Sequence, residues 1–182
     1  HVTLQGLDIE TCHHCVLAIG PLASPGDGAD DLVVRTCKVV GSDADSNAVD
    51  IEPGSERAII IDSYLYGADG YALSISPGAI DTELRDSFVN VDAAGTIGTS
   101  MNGGILQAGT NTHISHVHVA GAALAQVFLV SAEAMGGGGT ATLEHSIIDG
   151  NNTAYGIVIL GGSNNSIVGN TVINVLGAPA IA

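Results

Sequence analysis

The chain has 182 residues, with 19 acidic against four basic side chains and a formal net charge of −15. That balance excludes a nucleic-acid groove or an anionic membrane surface as partner, because both call for an excess of Lys and Arg. Apolar residues make up 46% of the chain, enough for a core, yet there is no Trp and only four Tyr and two Phe, so that core must be aliphatic.

Taken in order, the elements repeat. The first unit carries Leu4 and Ile9 on either side of a bend at Leu7, followed by a second apolar pair, Leu17 and Ile19. The next has Val34, Cys37 and Val39, then Val49 and Ile51; the third has Ile60, Ser63 and Leu65, then Leu73 and Ile75. The fourth reads Leu84, Ser87 and Val89 with a poorer partner at Ile105, and the fifth Ile114, Val117 and Val119 with Val127 and Leu129. Leu143, Ser146 and Ile148 follow, with Ile157 and Ile159, and then Ile167, Asn170 and Val172, with Ile181. The leading aliphatic residues recur every 24 to 30 positions, about 27 residues per repeat, which is a solenoid period. Alternation with a period of two predicts strands, not helices. Turn signals recur after the second pair, as in Pro53-Gly54-Ser55, Pro77-Gly78-Ala79 and Gly161-Gly162-Ser163. Short strands, aligned aliphatic columns and gaps of variable length predict an all-β parallel solenoid of about seven coils. The longest stretch without a charge or a turn cluster, Val117 to Val130, is too short and too polar for a bilayer span, so no membrane insertion is expected. Strand-like sequence runs from Val2 to Ile181, and residues 1–182 read as a single domain cut from a longer chain.

Tyr155-Gly156-Ile157-Val158-Ile159, Gly162-Ser163-Asn164-Asn165-Ser166-Ile167 and Gly169-Asn170-Thr171-Val172 carry a family likeness. They resemble the generic repeat of the right-handed parallel β-helix, or pectin-lyase-like, superfamily, and the resemblance covers nearly the whole chain. It implies three strands per coil, with the Gly-Ile strand first and the Asn corner between the second and third. It leaves activity open, because this coil serves polysaccharide lyases, glycoside hydrolases, epimerases, tailspikes and adhesins alike.

By that resemblance, chemistry belongs on the outer face of the first strand, whose central position reads Ala18, Asp50, Ser74, Leu106, Phe128 and Val158. Asp50 and Glu52 are the only acids there and the candidate catalytic pair. An inverting glycosidase separates its two carboxyl groups by about 6.5–9.5 Å. Ser74 would line the same groove, and Asp62 and Arg85 are further candidate carbohydrate contacts. The plainer expectation makes Asp50 and Glu52 solvated strand acids, and none of Arg35, Lys38, Arg57 and Arg85 lies on that strand to serve a lyase. Leu106, Phe128, Val130, Val158 and Leu160 would form an apolar stripe on the same face. Such a stripe marks a partner surface, for a homotrimer or a neighbouring domain, or the floor beneath a covering loop at 90–102.

The position before the bend reads Gly6, Thr36, Asp62, Asp86, His116, His145 and Gly169. Stacking would align Asp86, His116 and His145 as candidate metal ligands, since Zn²⁺ takes N and O donors in a tetrahedron. His113, His118, Arg85 and Glu144 would lie nearby, and the plainer expectation is a hydrogen-bonded polar ladder on a solvent-facing corner. Thr11-Cys12-His13-His14-Cys15 lacks a second ligand pair at fixed spacing. Its cysteines either pair with each other or pack, while Cys37, in the bend column, reads as a buried small hydrophobe. The acid surplus suits an extracellular or cell-surface setting. The function expected is that of a secreted or surface β-helix contacting polysaccharide, either as part of a lyase or hydrolase or as a structural fibre, tailspike or adhesin segment. The sequence leaves the identity of any cofactor open.

Overall fold

A computed structural model describes residues 1–18, 30–42, 47–68, 70–91, 103–121, 125–130, 139–150, 155–160, 164–175 and 181, the side chain of Phe128 excepted. Successive coils deliver one strand to each of three sheets; among the described residues the last coil meets the third sheet only through the Ile157↔Ile181 bridge. Sheet A holds β1 (Val2–Gln5), β4 (Leu32–Arg35), β7 (Ile59–Ile61), β10 (Glu83–Arg85), β13 (Thr112–Ser115), β16 (Ala141–Glu144) and β19 (Ser166–Val168). Sheet B holds β2 (Asp8–Cys12), β5 (Lys38–Gly41), β8 (Tyr64–Gly67), β11 (Phe88–Val91), β14 (His118–Ala120), β17 (Ile147–Asp149) and β20 (Thr171–Ile173). Sheet C holds β3 (His14–Ala18), β6 (Asn47–Ile51), β9 (Tyr71–Ile75), β12 (Gly103–Gln107), β15 (Ala125–Val130) and β18 (Tyr155–Leu160), the Gly-Ile strands of the sequence. Neighbours pair in parallel, one coil on the next, as in Val34↔Ile60, Leu84↔Ile114 and Leu73↔Ile105. The chain is a parallel β-helix. No helix among the described residues is long and apolar enough to cross a membrane.

The period-two alternation decides what faces inward. Val34, Ile60, Leu84, Ile114 and Leu143 stack fully buried in sheet A, and Val39, Leu65, Val89, Val119 and Ile148 do so in sheet B. Val49, Leu73, Ile105, Val127 and Ile157 complete the third wall. Burying one such side chain stabilises by about 1.5–3 kcal/mol, so these three columns dominate the driving force. No aromatic side chain among the described residues belongs to this core. At Gly104 the interior is tighter still: a Cβ there would lie 2.4 Å from Val119 Cγ1 and 2.7 Å from the Gln126 carbonyl oxygen.

One strand departs from the expected phase. Val16, Leu17 and Ala18 pair with Val49, Asp50 and Ile51, so Val16 and Ala18 are buried and Leu17 is 46% exposed. Leu17, not Ala18, therefore adjoins Asp50 on the outer face. A continuous apolar run is compatible with either phase, a one-residue slip exchanges the faces, and the pairing with β6 selects one.

The corner between sheets A and B explains the polar column. Gly6, Thr36, Asp62, Asp86, His116, His145 and Gly169 all have φ between 49° and 65°. Left-handed backbone favours Gly and, among other residues, Asn, Asp and His. From Cys37 onward the next residue in each coil turns inward and carries an N–H that needs an acceptor, whereas Leu7 in the first coil stays exposed. Ser63 Oγ accepts from Cys37 N–H (3.2 Å), Ser87 Oγ from Ser63 N–H (3.1 Å), Ser146 Oγ from Val117 N–H (3.2 Å) and Asn170 Oδ1 from Ser146 N–H (2.9 Å). Each serine hydroxyl donates back to a carbonyl two residues earlier, that of Ile61, Arg85 or Glu144. A buried N–H left without a partner costs about 1–3 kcal/mol, which is why small hydroxyl and amide side chains recur at the bend.

Candidate functional site

The central column on the outer face of sheet C runs Leu17, Asp50, Ser74, Leu106, Phe128 and Val158. Asp50 is not a solvated acid; it is only 2% exposed. Its Oδ2 lies 2.6 Å from His14 Nδ1, and its Oδ1 accepts a 2.6 Å hydrogen bond from Asn47 Nδ2. Asn47 Oδ1 in turn accepts the Tyr71 N–H at 2.7 Å, so one polar chain ties three successive coils. A buried carboxylate is tolerable only with partners of this kind. β3 pairs His14 with Asn47, which brings the ring over Asp50. Cys12 and Cys15 form a disulfide, Cα to Cα 5.1 Å, that brackets His13 and His14. The two rings meet edge-on at 4.4 Å, and the His14 side chain remains 40% exposed. Ser74 adjoins Asp50 in register and is nearly buried, while half-buried Glu52 accepts a 3.3 Å hydrogen bond from Ser76 Oγ. Sequence reasoning found Asp50 but missed His14 and Asn47 as its partners, because the repeat frame gave no depth for β3.

At the A–B corner, the His116 and His145 rings stack at 5.6 Å and 26°. Asp86 does not join them: its Oδ2 accepts from Arg85 Nη1 at 3.0 Å. Arg85 also holds Glu83 at 2.6 Å, so its guanidinium is engaged by its own chain neighbours. His113 Nε2 lies 2.8 Å from Glu144 Oε1, and that hydrogen bond is the main reason the Glu144 carboxyl is held below the usual carboxylate range. Asp62 is exposed at the same corner, and His118 falls beyond it on sheet B. Among the described residues, no group of three His, Cys, Asp or Glu side chains is placed to hold a metal ion. The left-handed backbone at Asp86, His116 and His145 by itself favours Asp and His there.

The apolar stripe of sheet C is partly packed within the chain. Val130 and Ala108 are buried in a small cluster with Ala125, against which Leu106, Val158, Tyr71 and Tyr155 pack. Leu160 is 41% exposed. The covering loop expected at 90–102 lies outside the described residues from position 92 onward, as does the Phe128 side chain. Asn90 and Val91 belong to β11.

Sequence reasoning also missed a strip on sheet B. The outward column Lys38, Tyr64, Phe88, His118 stacks in register, with Tyr66 and Asn90 in the column beside it. Tyr64 and Phe88 are stacked at 5.6 Å and 8°, and His118 meets Phe88 edge-on at 4.8 Å. Lys38 is exposed and the others are half-buried, and Tyr64, Tyr66 and Phe88 are three of the chain's six aromatic residues. Counting outward positions on the β5, β8, β11 and β14 strands would have revealed it; attention to the inward columns hid it.

Comparison with known proteins gives no match: no family model, curated protein or solved structure is significantly similar to this chain.

Proposed function

We propose that this chain is an extracellular or cell-surface β-helix that binds neutral carbohydrate along the outer face of sheet B. The observation that carries this reading is the strip of Tyr64, Phe88 and His118, flanked by Tyr66 and Asn90, on the outside of a fold whose described core uses no aromatic side chain. Tyrosine offers an apolar body and a polar tip, the combination that suits the mixed CH and OH faces of a sugar ring. Successive rungs stand about 4.8 Å apart, so an extended glycan could meet one rung after another. The middle of the strip carries no carboxylate or ammonium group, whereas the protein as a whole is at −15. An acidic polysaccharide would be repelled by that field and a neutral one would not.

The Cys12–Cys15 disulfide supports an oxidising setting. The coil's resemblance to the pectin-lyase-like superfamily supports carbohydrate as the ligand class. A fibre or adhesin segment joined through the Leu106–Phe128–Val158 stripe has less support, because Val130 and Ala108 beside it are already buried within one chain. Affinity electrophoresis in gels containing xylan, glucomannan or polygalacturonate tests the proposal. The expected result is retardation by a neutral polymer that Tyr64→Ala and Tyr66→Ala each weaken. Retardation by polygalacturonate alone, or by none of the three, would contradict it.

A further inference from the structure

We infer that Cys12 and Cys15 form a redox-active pair that exchanges with an exposed dithiol of a peptide chain and oxidises it to a disulfide. This does not rest on the carbohydrate reading, which leaves the pair idle. The two cysteines are three residues apart in sequence. The chain entropy removed by a crosslink grows with the logarithm of the loop it closes, so a bridge this short adds least to stability. The fold has little need of it besides. On one side Cys12 pairs with Gly41, and its carbonyl accepts the Ser42 N–H at 3.3 Å; on the other, His14 pairs with Asn47 and Val16 with Val49. Parallel ladders therefore hold both ends of the turn with or without the sulfur bridge.

The surroundings suit exchange. Thr11, His13 and His14 are exposed and both cysteines are half-buried, so a thiolate in solution can reach the bridge. Cys15 packs against the core, which leaves Cys12 as the outer sulfur and the one an incoming thiolate meets. The Val40 carbonyl oxygen lies 3.2 Å from Cys15 Sγ and 3.9 Å from Cys12 Sγ. A disulfide has no proton to offer it, whereas a Cys15 thiol would donate to it, so the reduced form has an acceptor waiting. Two imidazoles stand in the chain between the sulfurs, where an N–H can hydrogen-bond a departing thiolate. In the exchange, a substrate thiolate bonds to Cys12 Sγ as the bond between the two Sγ atoms breaks, and Cys15 leaves as a thiolate that takes a proton from solvent. The second substrate thiolate then bonds to the first substrate sulfur, the mixed disulfide breaks, and Cys12 leaves and is protonated in the same way. Two electrons pass from the dithiol to the cysteine pair, and the two protons its thiols release balance the two taken up. A small disulfide such as oxidised glutathione restores the pair by the reverse steps.

The test mixes the intact oxidised chain with a reduced, unstructured peptide carrying two cysteines, quenches with acid, alkylates free thiols and reads both masses. The expected result is that the peptide becomes its disulfide while Cys12 and Cys15 become alkylatable, roughly tenfold or more faster than an equal concentration of oxidised glutathione achieves. Offered the peptide in its disulfide form, Cys15→Ser should hold it as a mixed disulfide on Cys12, and Cys12→Ser should hold roughly a tenth as much, since its remaining thiol packs against the core. A pair that stays oxidised while the peptide stays reduced, or that exchanges no faster than oxidised glutathione, overturns the inference and makes the bridge structural. Equal trapping by the two variants overturns the assignment of Cys12 as the attacked sulfur. The rate is read on the unaltered chain, so the outcome does not depend on either variant folding.

Discussion

The carboxylate of Asp50, buried on the outer face of one coil, lies 2.6 Å from Nδ1 of His14 on the coil before it. Thirty-six residues separate the two in sequence, and the parallel register of β3 on β6 brings them together. Asn47 holds the other carboxylate oxygen, so the pair is part of a chain that ends at the Tyr71 backbone.

Asn47→Ala should cost about 2–4 kcal/mol, because it removes one hydrogen bond to a buried charge and leaves the Tyr71 N–H without its acceptor. Denaturant unfolding of the variant against the parent measures this. A loss below about 0.5 kcal/mol would mean that Asp50 finds other partners when Asn47 is removed.

At the bend, Ser63→Ala leaves the Cys37 N–H without its acceptor, and a loss of about 1–3 kcal/mol is expected. Ser63→Asn should cost less, since Asn170 already plays this part toward Ser146 N–H. Equal losses in the two variants would show that packing, and not the hydrogen bond, sets the preference for serine.

Gln107 is the polar exception in an inward column that otherwise reads Ile51, Ile75 and Leu129. It is fully buried, with Nε2 bonded to the Gly109 carbonyl (2.6 Å) and to Thr112 Oγ1 (3.1 Å), while Oε1 has no hydrogen-bond partner among the described residues. The Gly109 carbonyl also accepts the Thr140 N–H, so it does not depend on Gln107. Thr112, 2% exposed, accepts from Gln107, so the two are replaced together, and exchanging both members of a buried hydrogen-bonded pair for apolar groups of similar shape is neutral or favourable. Gln107→Leu combined with Thr112→Val should therefore leave stability unchanged or raise it by up to about 2 kcal/mol, and a clear drop in Tm would contradict this.

Burial pushes the Tyr71 phenol up to about 12 from 10.0. The folded state thus holds that proton more tightly than the unfolded chain does. The stability linked to Tyr71 is complete below about pH 10 and is lost as pH rises toward about 12. Ultraviolet titration should show a late phenolate step that disappears in Tyr71→Phe, and the variant should lose less stability over that interval. A late step that persists in Tyr71→Phe would assign it to another tyrosine.

The fold was legible because its cause is periodic. Aliphatic residues such as Val34, Ile60 and Leu84 repeat with the coil, and the parallel register follows from stacking like on like. The error at Leu17 arose where the run Val16-Leu17-Ala18 offers no alternation to fix the phase. The Asp86, His116 and His145 column was visible in sequence, but its identities answer to a left-handed φ that no residue pattern states directly. The partnership of Asp50 with His14 was not legible, since it depends on which outward side chains of adjacent coils reach one another, and coil lengths vary.

The tautomer of His14, read from the ring ¹⁵N shifts of the labelled protein, tests the central relationship most directly. The expected result is a neutral ring protonated at Nδ1, with the preference lost in Asp50→Asn. A neutral ring protonated at Nε2, or an unchanged spectrum in Asp50→Asn, would contradict it, because His14 would then not be oriented by Asp50.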